Sequence, residues 1–155
     1  MMHRYLFRGK RLDSSKWVHG FLMAPINRPH TDLHILPLST KTEKYCRNYY
    51  EIDPATIGQC TGLSAKKSYR GECPEDLLIF EGDIVKGSYE ETDGRIVYYF
   101  EEVKYITEQG GWILGDEDAF NNLDGISAQE VEVVGNVHDN REFLDVLDVS
   151  EMPGM

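Results

Sequence analysis

The sequence has no long apolar run. None of its 155 residues belongs to a stretch approaching the roughly 20 apolar residues that a membrane helix needs. The first five residues, Met-Met-His-Arg-Tyr, lead into no apolar signal-peptide core. We therefore expect a protein with no membrane segment that resides in the cytoplasm.

Cysteine is also scarce. Cys46, Cys60 and Cys73 are an odd number, and successive cysteines are separated by 14 and 13 positions. This spacing fits neither a disulfide framework nor a Cys-x-x-Cys metal knuckle. We expect reduced thiols.

Internal repeats and low-complexity segments are missing too, while 41% of the residues are apolar and 11% are aromatic. A chain of this composition and length buries enough surface for one core, or for one core with a small subdomain. We expect a compact globular protein.

Negative charge is nearly missing from the first third and abundant after it. Residues 1–50 contain nine Lys or Arg against three Asp or Glu, whereas residues 81–155 contain four against 19. The net charges are therefore +6 and −15, within a total of −11. Two surfaces of opposite potential favour association with charged partners or with copies of the same chain, although such blocks also serve simply to keep a surface solvated.

Short apolar and aromatic runs at 5–7 and 17–23 flank a segment rich in Gly, Asp and Ser, which predicts a β-hairpin. Residues 64–76 show no apolar periodicity and are predicted to form a mobile polar loop. From residue 80 to 137 about five short strands follow one another, and the last one alternates apolar and polar residues between 131 and 138. Residues 141–147 are predicted to form a short helix, followed by a frayed tail.

Four ordered segments carry a family resemblance. They are Phe-Arg-Gly-Lys at 7–10, the run from 52 to 63, Phe-Glu-Gly-Asp-Ile-Val at 80–85 and the run from 132 to 140. Together they resemble the YopX-like family of small proteins carried by bacteriophages, prophages and related mobile elements. The link between residues 63 and 80 is longer than is usual in that family.

The resemblance implies a mainly β protein. Its expected parts are an N-terminal β subdomain with a hairpin (1–63), a polar loop insertion (64–79), an SH3-like small barrel or roll (80–140) against which the N-terminal part packs, and a short helix and tail (141–155). Self-association is also expected of such a protein. The family has no established activity, so the resemblance implies no catalytic residue and no cofactor.

Three patterns suggest chemistry and have simpler structural explanations. Cys60 lies in Gly-x-Cys-x-Gly, a nucleophile-elbow pattern, but no helical pattern follows it. His30 and His34 are four residues apart, a spacing that would place two metal ligands on one face of a helix. No third ligand occurs at a characteristic spacing from them. Around Gly82, Glu81 and Asp83 are expected to stay in water while Gly82 turns the chain and Ile84 or Val85 begins the core.

Two charged sets are the candidate contact surfaces. The first interleaves cations with aromatic residues, which suits phosphate contact and base stacking or, alternatively, a strand with one solvated basic face; it contains Arg4, Arg8, Lys10, Arg11 and Lys16. The second is a candidate acidic contact face and contains Glu101, Glu102, Asp116, Glu117 and Asp118.

These observations favour a non-enzymatic binding or assembly module that self-associates, or binds a protein partner, through oppositely charged surfaces. One alternative is an acidic mimic of nucleic acid that captures a DNA-binding protein. Another is a nucleic-acid-binding module that uses the basic N-terminal strand, which the strong negative charge of the remainder disfavours. A small hydrolase with Cys60 as nucleophile is a further hypothesis. No cofactor or metal is expected.

Overall fold

The computed structural model describes residues 2–27, 32–37, 49–115 and 121–145. Strands dominate these residues, so the predicted mainly β class is confirmed. The chain divides into two compact units, Met1–Gly62 and Leu63–Met155. In the described ranges no helix is both long and apolar enough to cross a membrane.

The first unit is built on an antiparallel sheet with the strand order β4-β3-β2-β1-β5. The strands are β1 (Phe7–Lys10), β2 (Trp17–Met23), β3 (His34–Pro37), β4 (Tyr50–Glu51) and β5 (Gly58–Ser64), and β5 continues into the second unit. Short 3₁₀ helices cover Met2–Tyr5 and Pro54–Thr56. The predicted hairpin is confirmed, because β1 and β2 pair from Phe7↔Gly20 to Lys10↔Trp17.

The second unit contains a six-stranded sheet with the order β11-β10-β9-β8-β12-β6. Its strands are β6 (Lys67–Ser68), β8 (Asp83–Glu90), β9 (Ile96–Ile106), β10 (Gly111–Leu114), β11 (Asn121–Asn122) and β12 (Glu132–Asn136). β7 (Leu78–Phe80), α1 (Gly125–Ala128) and a 3₁₀ helix (Arg141–Asp145) complete the unit. All pairs in this sheet are antiparallel except β6 with β12.

This sheet does not close into the SH3-like barrel that was expected. Its two ends are β6 and β11, and no pairing between these strands is present among the described residues. Each has only two residues, and very short edge strands limit unwanted pairing without closure. The expected barrel is therefore an open sheet.

The core of the second unit lies against one face of this sheet. Val85 and Val133 are neighbours on β8 and β12, and both are fully buried. Their cluster is completed by Ala65, Ile79, Val103, Leu114, Leu123, Ala128 and Val131. Ile84 is also fully buried, so the prediction that Ile84 or Val85 begins the core is confirmed.

Residues 64–79, expected to be a polar loop, contain β6 and the first two residues of β7. The backbone is held by hydrogen bonds from the Lys66 and Tyr69 N–H groups to the Val131 and Val133 carbonyls. The short helix expected from residue 141 is a 3₁₀ helix, and the ring of Phe143 stacks on Phe100 with centroids 6.1 Å apart. Residues beyond 145 lie outside the described ranges.

Candidate functional site

Two of the segments that carry the family resemblance are neighbours in space. The segment at 80–85 pairs with the segment at 132–140, through Val85↔Val133, Ile84↔Gly135 and Asp83↔Asn136. The register shifts between Val133 and Gly135, which marks a β-bulge. The bulge brings Asp83 and Asn136 side by side.

Asp83 is fully buried, so the expectation that it stays in water is wrong. Gly82 does turn the chain, with a φ of 86° that glycine adopts easily. The turn directs the Asp83 carboxylate inward, where Oδ2 accepts hydrogen bonds from the Phe80 N–H at 2.8 Å and from Arg70 Nη2 at 2.9 Å. These charge-assisted bonds offset the cost of removing the carboxylate from water.

Arg70 reaches Asp83 from the long segment that follows β6. Its Nη2 also donates to the Leu78 carbonyl at 2.9 Å, and its guanidinium carbon lies 5.6 Å from the ring centroids of both Tyr69 and Phe80. About a fifth of the Arg70 side chain (21%) remains exposed. This single residue therefore fixes the segment onto the core of the unit.

Asn136 organises the turn after β12. Its Oδ1 accepts from the N–H groups of His138 and Asp139, each at 3.0 Å, and its Nδ2 donates to Asp139 Oδ2 at 3.2 Å. A Cβ at Gly135 would lie 2.5 Å from Asn140 Oδ1 and 2.8 Å from Asn140 Cβ, so a side chain there would force Asn140 to shift. Because Asp83 and Asn136 are both buried, these signature residues stabilise the fold and are not exposed to a substrate.

A pocket of about 240 Å³ opens on the surface of the second unit. Its lining residues lie on β6, β8, β9 and β12 or, for Lys66 and Glu130, just before β6 and β12. Its lining combines ammonium, carboxylate and hydroxyl groups from Lys66, Lys67, Lys86, Gly87, Ser88, Tyr98, Glu130 and Glu132.

Cations are concentrated around this pocket. The second unit contains seven Lys or Arg against 22 Asp or Glu, and three of the seven line the pocket. Glu132 is the cross-strand neighbour of both Lys67 and Lys86, and Lys86 Nζ lies 4.6 Å from the centroid of the Tyr98 ring. The lining therefore has a net charge of +1 within a unit of net charge −15, which suits a ligand with one negative charge.

Tyr99 lies on the core side of β9, opposite the pocket residue Gly87 of β8. Burial raises the pKa of its hydroxyl, and the charges of Glu101 and Glu130 raise it further. The contribution of this group to stability is fully present below the unfolded pKa of about 10 and is lost as pH rises through the higher folded pKa. We expect the free energy of unfolding to fall above about pH 10, and to fall less in Tyr99→Phe.

Urea unfolding at about pH 8 and about pH 10.5 measures this difference. Tyr89→Phe, at an exposed position on β8, is the control. Equal alkaline losses in wild type and Tyr99→Phe would contradict the assignment.

The structure does not assemble the five predicted basic residues into one surface. Arg8 and Lys10 share Trp17, with distances of 4.8 Å and 5.4 Å to its ring centroid, and Arg8 is 4% exposed. The guanidinium of Arg11 forms an ion pair with Asp13, which raises the pKa of Arg11, and also lies 3.8 Å from the Tyr50 ring centroid. Arg4 and Lys16 are exposed.

The predicted acidic face is divided as well. Glu101 and Glu102 are adjacent on β9, so their side chains leave opposite faces of the sheet. Glu102 Oε2 lies 3.2 Å from Lys104 Nζ. Asp116, Glu117 and Asp118 lie outside the described residues.

The remaining candidates lack the geometry that their chemistry needs. Cys60 is fully buried, and β5 runs through it to Ser64 with no helix following, so the nucleophile elbow is not formed. His34 Nδ1 lies 2.8 Å from the Asp32 carbonyl oxygen, while His30 is outside the described ranges. Within those ranges, no group of three or more His, Cys, Asp or Glu is placed to hold a metal ion.

Comparison with known protein families matches residues 6–145 to the family described as YopX protein. The chain belongs to the YopX family. The matched range contains Arg70 with its buried partner Asp83, the Asn136 turn and the whole pocket. Comparison with curated proteins finds no match.

Sequence reasoning missed the pocket of this YopX protein. The adjacent Lys66 and Lys67 in an otherwise acidic half were one available signal. Their meeting with Lys86 depends on the parallel pairing of β6 with β12, which no local pattern predicts.

Proposed function

We propose that this YopX family protein is a non-enzymatic binding and assembly module of phage type, resident in the cytoplasm, that associates with copies of itself. One observation carries the proposal: net charge reverses at the boundary between the two units. Residues 1–62 have nine Lys or Arg against five Asp or Glu, a net charge of +4, and residues 63–155 have a net charge of −15.

Much of this charge is exposed to solvent. In the first unit Arg4 and Lys16 are exposed. The described part of the second unit exposes ten carboxylates: Glu72, Glu75, Glu90, Asp93, Glu108, Asp124, Glu130, Asp139, Glu142 and Asp145. Complementary potentials of this kind accelerate association and select partners.

The proposed contact joins the first unit of one copy to the second unit of another. The contact uses the basic surface of one copy and the acidic surface of the other. Each of the two copies therefore keeps its other surface for contact with a further copy. Such a heterologous contact closes into a ring or extends into a filament. Salt weakens it, because exposed charges are screened within about 10 Å at moderate ionic strength.

We expect light scattering to give a mass above that of one chain at about 50 mM NaCl and a lower mass at about 500 mM. The double variant Arg4→Glu with Lys16→Glu should remain monomeric at low salt. Arg95→Glu also reverses the charge of an exposed arginine, but in the second unit, and should not weaken association. A wild-type protein that is monomeric at both salt concentrations, or equal loss in both variants, would overturn the proposal.

A further inference from the structure

The second unit has a partly unpaired strand beside its pocket. β8 pairs with β9 along its whole length, from Ile84↔Glu102 to Glu90↔Ile96. On its other side β12 reaches only as far as Lys86↔Glu132. Among the described residues, no strand pairs with Ser88–Glu90 on that side.

The backbone groups of Ser88 and Glu90 point toward this open side. The Glu91 N–H donates to the Arg95 carbonyl at 2.8 Å, so hydrogen-bonded pairs with β9 recur at every second residue, at Tyr89 and Gly87. Ser88 and Glu90 lie two and four residues after Lys86, so their backbone groups point to the same side as those of Lys86. The neighbour of Lys86 on this side is Glu132 of β12. The edge therefore offers donors and acceptors to one short added strand.

The length of this edge limits what can bind. A strand added along Ser88–Glu90 would meet the start of β12 at Lys86, because β12 occupies the same side of β8 from Asp83 to Lys86. The added segment must therefore end there, and the pocket lies at that point, lined by Lys86, Gly87 and Ser88.

The charge of the pocket determines which terminus of the added segment binds there. An added strand antiparallel to β8 brings its C-terminal carboxylate to the pocket, whereas a parallel strand brings its N-terminal ammonium. Lys66, Lys67 and Lys86 outnumber Glu130 and Glu132, so the net charge of +1 favours the carboxylate.

We propose that the open edge of β8 binds the C-terminal residues of a partner chain as an added antiparallel strand, with the terminal carboxylate held by the pocket lysines. The proposal is independent of the charge-driven self-association above. Tyr98 is 45% exposed and lies on the same face of the sheet as Ser88. It therefore borders the position of the last side chains of the added strand.

The probe is a fluorescently labelled Thr-Val-Thr-Val-Thr-Val peptide with a free C-terminus, compared with its C-terminal amide. We expect fluorescence polarisation to show binding of the acid and at least about tenfold weaker binding of the amide. Amide NMR signals of Ser88 and Glu90 should shift on addition of the acid. Equal binding of both peptides, shifts confined to other residues, or no binding of either peptide would overturn the proposal.

Variants separate the two parts of the site. Lys86→Met should weaken binding of the acid, whereas Lys104→Met, which removes a half-buried lysine of the same sheet outside the pocket, should not. Glu90→Pro removes an outward N–H that β9 does not use and should also weaken binding. Circular dichroism on each variant confirms the fold, and unchanged binding in folded Lys86→Met and Glu90→Pro would contradict the site.

Discussion

Arg70→Ala is expected to lower the free energy of unfolding by about 3–5 kcal/mol. The substitution leaves the fully buried Asp83 carboxylate without its guanidinium partner at 2.9 Å. It also removes the donor to the Leu78 carbonyl and the cation beside Tyr69 and Phe80. Urea unfolding followed by circular dichroism measures the loss.

Asp83→Ala and Arg70→Ala should not lower the free energy of unfolding by the same amount. After Asp83→Ala, Arg70 can turn toward water, because 21% of its side chain is already exposed, whereas Asp83 has no such route after Arg70→Ala. We therefore expect the double variant to be less destabilised than the sum of the single variants. Arg95→Ala, which removes an arginine that is 73% exposed and paired with Asp93, is the control and should cost at most about 1 kcal/mol. Equal small losses in Arg70→Ala and Arg95→Ala would contradict the role of the buried pair.

The buried pair also shows where sequence reasoning stops. Gly82 and the apolar Ile84-Val85 predicted a turn followed by core strand, and both features are present. The burial of Asp83 was not predictable, because its partner lies 13 residues earlier in a segment with no apolar periodicity. A charged residue next to a turn glycine is usually solvated, and only the tertiary position of Arg70 reverses that expectation.

In the last strand, the alternation of apolar and polar residues predicted burial correctly only as far as residue 135. Between residues 131 and 135 the odd-numbered positions are buried, as the period of two predicts. Asn136 should then face water, yet it is buried, because the bulge between Val133 and Gly135 shifts the register by one residue. Bulges leave little trace in a hydrophobic pattern, so this polar turn could not be anticipated.

The pocket depends on topology in the same way. Lys66, Lys86 and Glu130 come from three separate parts of the chain, and they meet because β12 lies between β6 and β8. The sequence predicted a strand at Lys86 and a loop at Lys66, while Glu130 directly precedes the strand predicted from residue 131. Without the strand order, neither the cluster of lysines nor the short open edge beside it was visible.

The second large effect is expected at Gly20, where the neighbouring strand leaves no room for a side chain. A Cβ at Gly20 of β2 would overlap the Leu36 carbonyl oxygen and would lie 2.8 Å from the Leu36 carbonyl carbon and 2.9 Å from Pro37 Cα. These are backbone atoms of β3, whose pairing with β2 fixes their positions. We expect Gly20→Ala to cost about 3 kcal/mol or more, because relief requires separation of the two strands.

Gly111 of β10 is the matched control, since no atom lies within 4 Å of a Cβ built there. Gly111→Ala should change the unfolding free energy by less than about 1 kcal/mol, because it adds a methyl group in open space and slightly restricts the unfolded chain. Urea unfolding of both variants provides the comparison. A loss in Gly20→Ala no larger than that in Gly111→Ala would show that β2 and β3 separate easily, and would contradict the close pairing on which the first sheet depends.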